Sequence, residues 1–290
     1  MLKSVLFQPL ARVSCAALLL LSLPSHATEP LKLIVPQIGK TPRVQVDYFY
    51  RLLDLVMRKT ESTDGPFTIE TCPGEMSSER SVQEVRKGKS INLIWMVTNA
   101  KREQDLLPVR MSLLRELNNY RIFLIRKEDQ PRFDKISTID ELRKLNAGLG
   151  SQWPDVDIMR NNDFAVTNTL SYSSLFLMLA AKRFDYFPRG LYEVFNEEQS
   201  HRDMGLAIEK NLMLYYDAPF YFFVSRDNPA LADRIERGLK KAQADGSFDQ
   251  LLLSVPGFAR ALEEQHNPRR KLFTLDKSAQ VPVRAGMGAH

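Results

Sequence analysis

Three arginines and one glycine loop carry most of the chemistry open to this chain. Arg102 follows Thr98-Asn99-Ala100-Lys101, Arg110 ends Leu106-Leu-Pro-Val, and Arg189 stands in Pro188-Arg189-Gly190. A guanidinium fork donates two parallel hydrogen bonds, which suits a planar carboxylate or a phosphate. The loop Gly148-Leu149-Gly150-Ser151-Gln152-Trp153-Pro154 reads as a strand end running into a helix. Such a turn leaves backbone N–H groups pointing outward, so Ser151 and Gln152 are candidate donors to an anionic or polar ligand. Trp95, Trp153 and Tyr172 offer apolar walls beside those polar anchors. Donors and walls of this kind hold a molecule; they do not by themselves break a bond.

Each of these residues has a plainer reading. Lys101 and Arg102 are either anion ligands, with Thr98 beside them, or solvated charges at a helix start. Arg110 either enters a cleft or pairs at the surface. Arg189 is either a ligand for an acidic solute or the partner of Glu193 four residues on, a pair worth little if exposed. Each aromatic residue taken singly serves packing as readily as contact.

Enzymatic readings lack material. The chain has four histidines, and two of them, His26 and His290, lie at its ends. His201 and His266 sit in polar contexts, and no His-x-x-x-His or paired-cysteine spacing offers a metal site. No Gly-x-Ser-x-Gly marks a nucleophile. Cys72, beside Pro73-Gly74, is read as a packing residue, since a reactive thiol needs an activating neighbour. The expectation is a non-enzyme with no metal and no cofactor.

The first residues read as an export signal. Lys3 and Arg12 precede the apolar run Val13 to Leu23, and Ser25-His26-Ala27 follows with small residues for cleavage near Ala27. The run is shorter than the roughly 20 residues a membrane span needs. Removing 27 residues from 290 leaves 263, enough for one large or two small α/β units, and removing Lys3 and Arg12 lowers the net charge from +5 to +3. That mild charge lacks the concentrated stripe of a nucleic-acid binder. The one dense basic cluster, Arg269-Arg270-Lys271, reads as part of a solvated tail, and Gln280 to His290 as disordered. Only Cys72 remains after export, so no internal disulfide is expected; the protein is read as a monomer.

The periodicities alternate between strand and helix. Leu31 to Val35, Phe67 to Thr71, Ile91 to Val97, Tyr120 to Ile125 and Phe220 to Val224 read as strands. Ser77 or Ser78 caps a helix that Gly88 stops, Thr138-x-x-Glu141 is a capping box, and Asn228-Pro229 opens a helix with Leu231, Ile235, Leu239 and Ala242 inward. In 146–190 a strand, the glycine loop, a helix, a strand, a helix and the strand Phe184 to Phe187 follow in turn. Pro188-Arg189-Gly190 is expected to end that last strand. This order argues for parallel-rich sheets covered by helices.

Several of these pieces resemble the family 3 periplasmic solute-binding proteins. Gly148 to Trp153, Leu175 to Arg183 and Phe184-Asp185 match the pattern of that family's second lobe. Arg226-Asp-Asn-Pro-Ala-Leu and Ala244-Asp245-Gly246 match its return to the first lobe, and Thr98 to Glu103 its ligand-gripping Thr…Arg run. The resemblance implies a two-lobed α/β fold of the type II periplasmic-binding kind, each lobe a mainly parallel sheet flanked by helices, joined by a two-strand hinge. It places lobe one at 28–122, lobe two at 123–224, and the return to lobe one plus the tail at 225–290. It implies a periplasmic protein that closes on a small polar, anionic or amino-acid-like solute, for an ABC-type permease or a membrane sensor. The family presents an Asp near the position of Arg189 to hold an ammonium. A cation there points instead to an acidic solute gripped by Arg189 with Arg102 or Arg110. The alternative is an interaction protein that keeps the fold without a ligand.

Overall fold

The computed structural model describes residues 29–37 and 43–275. The expected export signal and the stretch Gln280 to His290 lie outside the described residues.

Lobe one opens with β1 (Leu31–Gln37), α1 (Arg43–Asp64) and β2 (Phe67–Glu75), with β2 parallel to β1. The helix α2 (Ser78–Lys87) starts at Ser77, whose side chain accepts from Arg80 N–H. It stops at Gly88, whose φ of 62° is the left-handed value that glycine adopts without strain. Next come β3 (Leu93–Val97), α3 (Ala100–Asp105), β4 (Leu107–Val109) and β5 (Leu113–Glu116). Asn92 ties β3 to β1, donating its N–H to Ile34 O and accepting the Ile34 N–H on its own Oδ1.

Lobe two contains β6 (Tyr120–Arg126), α4 (Gln130–Phe133), α5 (Ile139–Arg143), β7 (Asn146–Gly150) and α6 (Asp155–Arg160). It continues through β8 (Ala165–Thr169), α7 (Tyr172–Ala180), β9 (Phe187–Gly190), α8 (Leu191–Ser200), β10 (Leu206–Ile208) and β11 (Leu212–Tyr215). The chain then supplies β12 (Phe220–Val224), α9 (Pro229–Ala244), α10 (Ser247–Leu253), α11 (Phe258–Gln265) and β13 (Lys271–Thr274). The α5 capping box is formed, and Asn228 caps α9 by accepting from Leu231 N–H. Leu231, Ile235, Leu239 and Ala242 are buried on α9, the stripe expected from their spacing.

The two lobes repeat one strand order. In lobe one it is β2–β1–β3–β12–β4, with β12 antiparallel to both neighbours. In lobe two it is β8–β7–β9–β6–β11, with β6 antiparallel to β9, β11 and the short β10, and a parallel bridge Ala147 to Tyr186 joining β7 to β9. In each lobe the antiparallel strand is the one that has just arrived from the other lobe. This symmetry of topology has no counterpart in the sequence.

The crossings lie near residues 118 and 218. Asn118 Nδ2 donates to Ala218 O at 2.5 Å, Asn119 Oδ1 accepts from Ala218 N–H at 3.1 Å, and Tyr216 N–H donates to Asn119 O at 3.1 Å. The expected boundaries fall elsewhere. The break at 122/123 cuts β6, and β12, expected in lobe two, pairs with β3 and β4 of lobe one. The C-terminal β13 pairs with β11 and so joins the sheet of lobe two. Pro188-Arg189-Gly190 does not follow a strand Phe184 to Phe187 but forms most of β9 itself, paired in turn with Phe123, Ile122 and Arg121 of β6. Arg269-Arg270-Lys271 is not a solvated tail. The Arg270 side chain is buried, donating to the carbonyls of Glu209 and Leu212 and pairing with Glu264.

Candidate ligand cleft

Arg102 is set by a local cap. Asn99 accepts the Arg102 N–H at 2.8 Å and so starts α3 directly after β3. The guanidinium turns back over the strand end, with Nη1 donating to Val97 O at 2.5 Å. Its Nη2 crosses to lobe two and donates to Gln152 O at 3.3 Å. Among the described residues the ion pairs include no carboxylate for Arg102. Burial lowers its pKa from the ordinary arginine value, while Glu79 and Asp155 act in the opposite direction. A desolvated guanidinium held by two neutral carbonyls retains unspent attraction for an anion.

Beside it lies a cavity of about 220 Å³ between α2 and α3 of lobe one and residues 151–157 of lobe two. Asn99, Lys101, Arg102, Ser151, Gln152 and Trp153 line it, together with Glu79, Asp105 and Asp157. The opening therefore has both signs of charge around it, although Lys101 pairs with Asp105.

The glycine loop is tighter than its sequence suggests. Ser151 N–H donates to Thr169 O at 3.0 Å, and Trp153 N–H donates to Gly150 O at 3.0 Å. These two amides are thus spent inside the lobe and do not point outward. Ser151 Oγ bonds Asn168 Oδ1 at 3.1 Å. Gly150 is needed because a Cβ there would stand 2.5 Å from the Trp153 indole. The loop folds over its own tryptophan, which stacks on Phe187 at 6.0 Å with Tyr172 6.5 Å away.

Arg189 overturns an expectation. Only 5% exposed, it donates Nε to Glu197 Oε2 at 2.7 Å and Nη2 to Glu197 Oε1 at 2.6 Å, with Glu193 Oε2 2.8 Å from Nη2. Its Cζ lies 4.6 Å from the centroids of both the Trp153 and Phe187 rings. Two carboxylates already compensate this cation, so it is not a free anion ligand. Arg110 is not one either, because it pairs with Glu103 and its side chain is 64% exposed. Thr98 Oγ1 donates to the same carboxylate at 2.7 Å. Trp95 lies in the lobe-one core, stacked with Phe49 at 5.6 Å and edge-on to Tyr50 at 5.0 Å. Tyr172 spends its hydroxyl on Glu197 at 2.6 Å. The structure thus brings together Arg102, Ser151, Gln152 and Trp153, sets Trp95 and Arg110 apart from them, and places Arg189 against the Trp153 ring with its charge already compensated.

A buried ionic chain lies behind the Trp153 wall. Arg121 of β6 donates Nε to Asp155 Oδ1 at 3.0 Å, and Tyr216 OH donates to the same oxygen at 2.6 Å. Among the described residues, Arg121 Nη1 is buried with no hydrogen-bond partner. The signal for it was an arginine inside the apolar strand Tyr120-Arg-Ile-Phe-Leu-Ile, since a charge on a buried strand requires a partner.

Similarity in three dimensions decides the architecture. An ancestral arginine-binding protein bound to arginine superposes with a TM-score of 0.58 at 15% identity, over 78% of this chain and 98% of that one. The fold is that of the two-lobed periplasmic binding proteins. An arginine-specific periplasmic binding protein of Salmonella typhimurium matches this binding-protein fold with a TM-score of 0.55 at 16% identity, over 81% of this chain and 98% of that one. A histidine kinase sensor domain with similarity to periplasmic binding proteins matches with a TM-score of 0.56 at 14% identity, over 79% and 97%. No protein-family model matches the sequence, and no curated protein sequence matches it.

Proposed function

We propose that this protein captures a small polar solute between its two lobes and that Arg102 grips the acidic group of that solute. The observation that carries this reading is the Arg102 guanidinium itself. It is partly buried at the cleft, is held among the described residues by the carbonyls of Val97 and Gln152, and borders a cavity of about 220 Å³. An acidic oxygen is a stronger acceptor for it than Gln152 O. Hinge motion at residues 118 and 218 opens the cleft, and closure returns the Gln152–Trp153 wall over the bound solute. With Arg110 and Arg189 engaged elsewhere, one acidic group on the solute is enough. The argument against an ammonium on the ligand falls with the neutralised Arg189.

The fold supports this reading, since its solved neighbours include arginine-binding proteins and a kinase sensor domain. On this reading the protein is exported to the periplasm and passes its solute to an inner-membrane ABC permease, or reports it to a membrane sensor. A thermal-shift screen against amino acids, dicarboxylates, phosphorylated compounds and small peptides tests it. A solute that binds the folded state raises the melting temperature when in excess over its Kd. No shift across the set contradicts solute binding.

One observation favours a second reading, an interaction protein that keeps the fold without a ligand. Trp153, Phe187, Tyr172 and Arg189 fill the lobe-two face with the protein's own side chains. On that reading Trp153→Ala leaves every solute in the same screen without effect.

A further inference from the structure

The chain passes between the lobes a third time, at residues 254–257 between α10 and α11. The end of α10 is held to lobe one, where Arg51 of α1 donates to Ser254 Oγ at 3.0 Å. The helix α11 lies instead on α8 of lobe two, with Arg260 Cζ 4.2 Å from the Phe195 ring centroid. From there β13 runs parallel to β11, and the Lys271 and Leu275 N–H groups donate to Asn211 O at 2.7 Å and Tyr215 O at 2.8 Å. Glu264 of α11 pairs with the buried Arg270, which also donates to the carbonyls of Glu209 and Leu212. The helix and the strand are thus fastened to lobe two as one piece.

Phe258, the first residue of α11, joins that piece to lobe one. Its buried ring meets Tyr48 of α1 edge-on at 5.3 Å and Tyr192 of α8 edge-on at 6.3 Å. Tyr48 is itself fixed, donating its hydroxyl to Leu113 O at 2.5 Å. Tyr192 also meets Phe220 of β12 edge-on at 6.1 Å, and the preceding Leu191 N–H donates to Leu117 O at 3.2 Å. One buried apolar cluster runs through this joint, from Trp95 of lobe one to Phe176 of lobe two. Domains joined only by connecting strands move freely, whereas a large apolar surface between them opposes that motion. Here the lobes share a core behind the cleft.

We propose that α11 and β13 form a strap that, through Phe258, holds the lobes in the orientation in which Arg102 reaches Gln152, so that the cleft rests closed and its opening is limited by the release of Phe258. The inference goes beyond solute capture and does not depend on any solute binding. Rotation about the crossings near 118 and 218 carries α8, α11 and β13 with lobe two and leaves Tyr48 and Phe220 with lobe one. Phe258 must then part from Tyr48, or α11 from α8. Either step brings buried rings into water and breaks an edge-on pair, so both oppose opening.

Distances between two spin labels, read by pulsed electron paramagnetic resonance on the purified, solute-free protein, test this. The labels go on Lys87→Cys of α2 and Arg160→Cys of α6, both exposed, in a parent carrying Cys72→Ala. Those two helices supply opposite walls of the cavity, so the label distance follows the opening of the cleft. The parent is expected to give one narrow distance. Phe258→Ala is expected to add a second distance that the parent lacks. Phe248→Ala, which removes a buried ring of α10 within lobe one, controls for a general loosening of the core and is expected to keep the single distance. Two distances in the parent overturn the strap. So does an unchanged single distance in Phe258→Ala, or a second distance that Phe248→Ala shows equally. If Phe258→Ala does not fold, Phe258→Leu keeps an apolar side chain but offers no ring to Tyr48 or Tyr192, and is read in the same way.

Discussion

Arg102 of lobe one and Gln152 of lobe two are joined across the cleft by a single hydrogen bond, from guanidinium Nη2 to a backbone carbonyl at 3.3 Å. The bond is long and its acceptor neutral, so it adds little to the stability of the fold. Arg102→Ala removes a desolvated cation together with that bond. The unfolding free energy in urea is expected to change by less than about 1 kcal/mol. A residue kept for packing would cost more.

Arg189 is expected to behave in the opposite way. Its removal leaves Glu193 and Glu197 buried and uncompensated, which costs about 3–5 kcal/mol. Denaturant unfolding of Arg189→Ala checks this. Arg110→Ala serves as the control, because its pair with Glu103 is mostly exposed and its loss is expected to stay within about 0.5 kcal/mol.

Two buried carboxyls give stability opposite dependences on pH. Burial raises the Asp155 pKa, but Arg121 and the Tyr216 hydroxyl outweigh it and hold the value below the ordinary 3.8. Its contribution is present above that value and is lost as pH falls through the folded-state pKa. Glu193, raised from 4.5 to about 7, contributes fully below 4.5 and loses that contribution as pH rises through 7. Urea unfolding from about pH 5 to about pH 8 is expected to cost the wild type about 2–3 kcal/mol more than Glu193→Gln. Equal losses in the two proteins would remove Glu193 from the account.

Gly238 marks the close approach of α9 to α1. A Cβ there would lie 2.2 Å from Val56 O, and a backbone atom cannot move aside cheaply. Gly238→Ala is expected to destabilise by about 1–3 kcal/mol despite alanine's better helix propensity, which a melting curve would reveal.

The elements of the fold were legible because their signals are local. Ser77, the Thr138–Glu141 box and Asn228 each mark a helix start within four residues, and the strands announce themselves by apolar runs. The partnering of elements was less legible. β12 and β13 belong to lobes that their place in the chain does not reveal, since strand pairing is decided by packing across more than a hundred residues for β12. The candidate site divides in the same way. Arg102 is positioned by a cap three residues away and could be read. Arg189 could not, because its main partner Glu197 is eight residues on, across a strand-to-helix turn. The sequence offered only Glu193 at helical spacing. The Arg121–Asp155–Tyr216 group joins three separate elements and left one trace, a lone arginine in an apolar strand.

The most direct test is a binding titration of one stabilising acidic solute with wild-type protein and with Arg102→Ala. The account predicts that affinity falls by about 1.5–3 kcal/mol, roughly 10- to 150-fold in Kd, while the fold remains intact. An unchanged Kd in Arg102→Ala would contradict it.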